Sequence, residues 1–173
     1  MHSVKYLIFA IAFLVLALPS MAAAEAPSLS GTYELDEEAS DVMVEAFEPA
    51  IEAMGRMRRG FARRAIESED DPSEQIQIAT DDDEVVIESV DEPPLTAPLD
   101  GETVDYVDGD GDKVRVRARI DDGALVVHND VEDGEYTTTY RLDDSGDRLE
   151  VVSDIDMDQL PKEVTYRLYY DRR

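Results

Sequence analysis

The feature that most limits the fold of this chain is its punctuation. After Pro72, apolar runs of five to nine residues alternate with Asp- and Gly-rich breaks at 81–83, 91–94, 100–101, 108–112, 121–123, 132–134 and 143–147. With no helical pattern between them, such breaks call for consecutive antiparallel hairpins and not for the helical crossovers of a parallel sheet. The expected strands are 74–80, 84–90, 103–107, 113–120, 124–131, 135–142, 148–155 and 163–171, with 95–99 as an edge or crossing segment because Pro94 precedes it and Pro98 lies within it. KVRVRARI at 113–120 shows the alternation best: Val114, Val116, Ala118 and Ile120 face one way, Lys113, Arg115, Arg117 and Arg119 the other. Such strands carry too little apolar surface for a large two-sided core. Closing them into an up-and-down meander removes their adhesive edges. A closed or nearly closed barrel of about 8 to 10 strands is therefore expected, with an open sandwich or a sheet wrapped over a helix as the alternative.

A further short strand is expected at 30–36, SGTYELD, where Tyr33 and Leu35 oppose Thr32 and Glu34. The period then changes. Met43, Phe47, Ile51, Met54, Met57, Phe61 and Ala65 recur at steps of three or four, which predicts a helical insert at about 40–67 with these side chains on one face. Ser40 is placed to cap it, and Pro49 predicts two helices or one kinked helix, with the proline near the first turn of the second piece. Acids and Pro72 end the pattern.

Residues 1–24 read as a Sec-type signal peptide. Lys5 precedes an unbroken apolar run of 13 residues from Tyr6 to Leu18, then Pro19 and a stretch of small residues. That run is short of the ~20 residues a membrane span needs. Ala22 and Ala24 suit a peptidase site, so cleavage is expected after Ala24, with Ala22 or Ala26 as alternatives. Residues 25–173 then form one domain in a bacterial periplasm or extracellular space, with no remaining membrane span.

Charge narrows the partners. The chain has 42 acidic and 16 basic residues for a net charge of −26, and removing the segment that holds Lys5 makes it −27. This repels polyphosphate and argues against nucleic-acid binding. Lys113 and Lys162 are the only lysines left among the basic residues, and the balance suits a surface hydrated in saline surroundings; an acidic docking face is the alternative. With no cysteine there is no disulfide, thiolate metal site or lipid-bearing thiol.

In layout, the GTYELD strand, the helical insert and the run of strands ending in an arginine-rich one resemble the calycin superfamily of lipocalins and fatty-acid-binding proteins. Gly31, Thr32 and Tyr33 stand where lipocalins carry Gly-x-Trp, without the tryptophan. A helix after the first strand is similar to the fatty-acid-binding branch, and Arg167-Leu168-Tyr169 resembles the Arg-x-Tyr with which that branch holds a carboxylate. The resemblance implies a barrel for an apolar ligand, with Arg167 and Tyr169 as candidate ligand-binding residues. Strand alternation works against the pair, since Val164, Tyr166, Leu168 and Tyr170 form the more apolar face.

Other motifs read as structure. Asp108, Asp110 and Asp112 match the first places of an EF-hand loop, but Lys113 and Arg119 occupy the positions of its obligatory Gly and Glu, so a hairpin turn is expected. His128 has no cysteine or second histidine beside it in the mature chain, and no metal or cofactor is expected. No Gly-x-Ser-x-Gly turn or other nucleophile context appears, so a non-catalytic protein is expected. Arg56, Arg58, Arg59, Arg63 and Arg64 follow Asp41, Glu45, Glu48 and Glu52. That order favours helix electrostatics, including a Glu52–Arg56 pair, and leaves contact with an anionic surface or protein as the alternative. The expected function is binding of a small apolar or amphipathic, even carboxylate-bearing, molecule. Its rival is an interaction protein with a filled core that works through the arginine-rich helix.

Overall fold

The computed structural model describes residues 28–68, 72–90 and 92–173; the expected signal peptide lies outside them. The order is β1 (Gly31–Leu35), α1 (Met43–Ala53), α2 (Arg56–Ser68), β2 (Gln75–Thr80), β3 (Glu84–Ser89), β4 (Leu95–Pro98), β5 (Asp100–Val107), β6 (Lys113–Asp121), β7 (Ala124–Val131), β8 (Gly134–Leu142), β9 (Arg148–Met157) and β10 (Val164–Arg172). All ten strands join one antiparallel sheet in the order β4-β3-β2-β1-β10-β9-β8-β7-β6-β5. First and last strands pair through Tyr33↔Arg172 and Leu35↔Tyr170, so the meander curls into a nearly closed barrel. Its seam lies between β4 and β5, which share no ladder.

Burial follows the period-two reading. Val114, Val116 and Ala118 of β6 are buried, whereas Ile120, at the strand end beside the Asp122–Gly123 turn, is 47% exposed although its partner Leu125 is buried. Tyr33, Ile78, Val85, Leu125 and Leu149 anchor the core from five strands. Gly134 starts β8 at φ +152, where an added Cβ would fall 2.4 Å from the Asp156 carbonyl oxygen; a side chain there would push β9 away. The DGDGD segment is the expected turn: the Asp108 carboxylate accepts from the Asp112 N–H at 2.8 Å, and Gly111 takes φ +89.

The helical insert departs from expectation in two ways. Pro49 sits inside α1, where it forfeits one backbone bond, and the break falls instead after Ala53, with Met54 extended (φ −71, ψ 159) ahead of Gly55. Ser40 does not cap α1, whose N-cap is Val42. Its hydroxyl joins the barrel instead, donating to Asp36 O at 2.7 Å and accepting from the Tyr169 N–H at 2.9 Å. Together with the Asp41 carboxylate, which accepts from the Arg167 N–H at 2.8 Å, it covers the part of β10 that short β1 leaves unpaired.

Candidate functional site

Following the strands from end to end places the helical insert, the β3–β4 loop and the 108–112 and 132–133 turns at one end of the barrel. Residues 28–30, the C-terminus and the 143–147 turn lie at the other. That second end is plugged. Arg172, inward on β10, stacks over the Tyr33 ring at 5.3 Å, donates to Tyr33 Oη at 2.7 Å and reaches the Ser28 and Ser30 carbonyls. Tyr33 in turn donates to Leu29 O at 2.7 Å.

The first end is hollow. A cavity of about 240 Å3 is lined by Ile87 and Leu95 on one side and by Asn129, Tyr136, Thr138 and Tyr140 on the other, with Glu92 and Asp108 among its charged borders. The top of the seam is latched across it: Tyr106 donates to Pro93 O at 2.7 Å, and the Gly109 N–H donates to the Glu92 carboxylate at 2.7 Å.

The two walls differ in chemistry because the inward positions of their strands differ. On β2, β3 and β4 these are chiefly Ile76, Ile78, Val85, Ile87, Leu95 and Ala97, with Ser89 of β3 also lining the cavity. On β7 to β10 hydroxyl and amide groups enter the same period. The row Val127, Thr138, Ser153 and Tyr166 runs straight across four strands, beside a row with Asn129 and Tyr136. Thr138 and Ser153 hydroxyls lie 3.4 Å apart, while those of Tyr136 and Tyr140 have no hydrogen-bond partner among the described residues. Burial pushes the Tyr136 hydroxyl up to about 12, aided by the Asp108 and Glu92 carboxylates, and raises Tyr140 likewise. Both are therefore neutral donors across the physiological range.

Arg167 and Tyr169 lie on the outer face of β10. Leu168 and Tyr170 point inward, so alternation turns this pair outward, where both approach the Glu150 carboxylate, Arg167 at 3.7 Å and Tyr169 at 3.1 Å. The inward arginine of the strand is Arg172, at the plugged end, and no cation among the described residues lines the cavity.

Arg56, Arg58, Arg59, Arg63 and Arg64 are all exposed on α2. Arg59 donates to the Glu52 and Met54 carbonyls and Arg63 pairs with Glu48, tying α2 back to α1; the expected Glu52–Arg56 ion pair does not form. Arg56, Arg58 and Arg64 make no ion pair among the described residues. The apolar face does not continue through both helices. Ala50 and Ile51 are buried, but Met57 and Phe61 are 86% and 76% exposed, because the break after Ala53 turns α2 onto a different face.

Sequence reasoning also missed a cluster on the outer face of β7 and β8. The register pairs His128 with Thr137 and Asp130 with Glu135, and gathers ligand-type atoms of His128, Asp130 and Glu135 within 4.8 Å of one another. Only the H-x-D spacing on β7 hinted at it; the third member depends on the hairpin register.

No protein-family model and no curated protein matches the sequence. Solved structures do. The chain is similar to the secretary abundant heat soluble (SAHS) protein of Ramazzottius varieornatus, with TM-score 0.58 and 14% identity over 84% of this chain and 95% of that one. It is similar to the REP1-NXSQ fatty acid transporter, with TM-score 0.55 and 15% identity over 84% and 96%. Fatty-acid-binding protein 1 of Echinococcus granulosus matches at TM-score 0.51 and 12% identity over 83% and 96%. At such identities the likeness speaks for architecture alone, and together with the ten-strand near-closed meander and its helical insert it gives this chain a calycin-like barrel fold.

Proposed function

We propose that the protein is an exported, non-catalytic carrier of a small amphipathic molecule held in the barrel's open end. The observation that carries this reading is the cavity between an apolar wall and a wall of unpartnered tyrosine hydroxyls. At about 240 Å3 it lies just below the ~300–1,000 Å3 of common ligand sites, which suits a ring system or a short acyl chain and not a long one. The similar structures include a fatty acid transporter and a fatty-acid-binding protein, which supports an apolar cargo. The head group here is a neutral hydroxyl or carbonyl. Glu92 and Asp108 border the cavity and no cation among the described residues lines it, so a carboxylate entering there finds no described partner to offset its desolvation.

Titration with 2-naphthalenemethanol and 2-naphthoate tests this, because the two probes share a ring and differ in charge. The alcohol is expected to bind at least tenfold more tightly and to lose affinity in Tyr140→Phe. No binding of either probe favours the filled-core interaction protein; preference for the acid overturns the neutral-head reading. Export is tested by fractionation and N-terminal sequencing, which should find a soluble chain beginning near Glu25.

A second reading rests on α2. Met57, Phe61 and Ala65 form an outward stripe flanked at helical spacing by Arg58 and Arg64, the arrangement of a helix that lies on an anionic surface. No helix among the described residues is long and apolar enough to cross a membrane. Co-sedimentation with phosphatidylglycerol vesicles at low salt should fall in Arg58→Gln/Arg64→Gln and in Phe61→Ser. A parent protein that stays in the supernatant removes this reading.

A further inference from the structure

We infer that His128, Asp130 and Glu135 form a surface site for a borderline divalent cation such as zinc. On the β7–β8 hairpin, His128 faces Thr137 and Asp130 faces Glu135, so four outward side chains occupy one rectangle. His128 Nε2 lies 3.2 Å from Asp130 Oδ1 and 3.3 Å from Glu135 Oε2. Four ligands at zinc bond lengths of ~2.0–2.1 Å stand about 3.3 Å from one another in a tetrahedron, so these two edges already have the dimensions of a coordination shell.

The surroundings fit the same reading. His128 Nδ1 is 3.0 Å from Thr137 Oγ1, and with the Nδ1 proton donated there, the Nε2 lone pair points at both carboxylates, as the outer-shell partner of a metal-bound imidazole arranges it. Arg115 and Arg117 approach the other Asp130 oxygen, Oδ2, at 3.4 and 3.7 Å, which holds the carboxylate in place and leaves Oδ1 as a single donor. Their charge is countered across β9, where Asp156 pairs with Glu135 and Asp154 with Thr137 on the same face. The His128 and Asp130 side chains are 18% and 23% exposed and Glu135 55%, so a fourth position opens to water on the Glu135 side. One imidazole with two monodentate carboxylates suits zinc; calcium takes six to eight oxygens and magnesium an octahedron.

The same distances also fit a protonated His128 bridging both acids with no metal, so the experiment separates the two. Calorimetric titration of the protein with zinc chloride in molar sodium chloride suppresses loose binding to the acidic surface. The expected result is one tight zinc per chain, weakened at least tenfold in His128→Gln and in Glu135→Gln, and not displaced by equimolar calcium or magnesium. Cobalt(II) in place of zinc should give the intense visible bands of a four-coordinate ion, absent in His128→Gln. Melting curves of the metal-free variants check that both fold. Zinc binding that is unchanged in His128→Gln, weak cobalt bands of a six-coordinate ion, or no stoichiometric zinc binding each overturns the site.

Discussion

The two walls of the barrel interior are built by the same strand alternation and buried to a similar depth, yet they serve different ends. The β2–β4 wall is apolar at its inward positions apart from Ser89 at the cavity, while the β7–β10 wall mixes Leu125, Leu149 and Val151 with Asn129, Thr138, Ser153 and four tyrosines. Hydroxyls that leave water need partners, and those of the half-buried Tyr136 and Tyr140 have none among the described residues, so they face whatever fills the cavity. The apolar wall is explained by stability alone. The polar wall is not, and that contrast is the physical case for an occupant.

The contrast breaks first under truncation. Ile78 is 1% exposed, and Ile78→Ala should remove about 2–5 kcal/mol, read as a lower denaturant midpoint at unchanged slope. A loss under 1 kcal/mol would mean that the apolar wall is as loosely packed as the cavity side.

Alkaline pH should come next. Tyr136 and Tyr170 are each raised by burial to about 12, whereas an unfolded tyrosine titrates near 10. The folded chain therefore keeps protons that the unfolded chain releases. The stabilisation is complete below pH ~10 and is lost as pH rises through ~12, a change of a few kcal/mol. Tyrosinate absorbance in the native protein should show late-titrating groups in that window, and a stability that stays level to pH 12 would show these phenols to be solvated.

The smallest effect sharpens the comparison most. Replacing both partners of a buried hydrogen bond by groups of similar shape is close to neutral, so Thr138→Val/Ser153→Ala should shift stability by less than about 1 kcal/mol in either direction. The same double variant should weaken naphthalenemethanol binding severalfold. A large stability loss with unchanged binding would make the polar wall a structural network.

Much of this architecture was legible in the residues because a strand's period and its turn chemistry are local. Asp- and Gly-rich breaks mark the hairpins, and the alternation of 113–120 shows which of its side chains are buried up to Ala118. The same locality explains why Val164, Tyr166, Leu168 and Tyr170 were readable as the more apolar face of the last strand, with Arg167 and Tyr169 opposite. Helical periodicity was legible too, but a stripe of Met57 and Phe61 does not say what will cover it, and in the fold nothing among the described residues does.

The sequence by itself determined the hairpins, the alternation within each strand and the place of the helical insert, since all three depend on neighbours a few residues apart. Tertiary structure alone decided the rest: that the seam falls between β4 and β5, that Arg172 plugs one end while Tyr136 and Tyr140 line a cavity at the other, and that Glu135 meets His128. Those relations turn on the registers of strands paired across the sheet. A shift of one residue in any of them would turn a whole row of side chains to the opposite face.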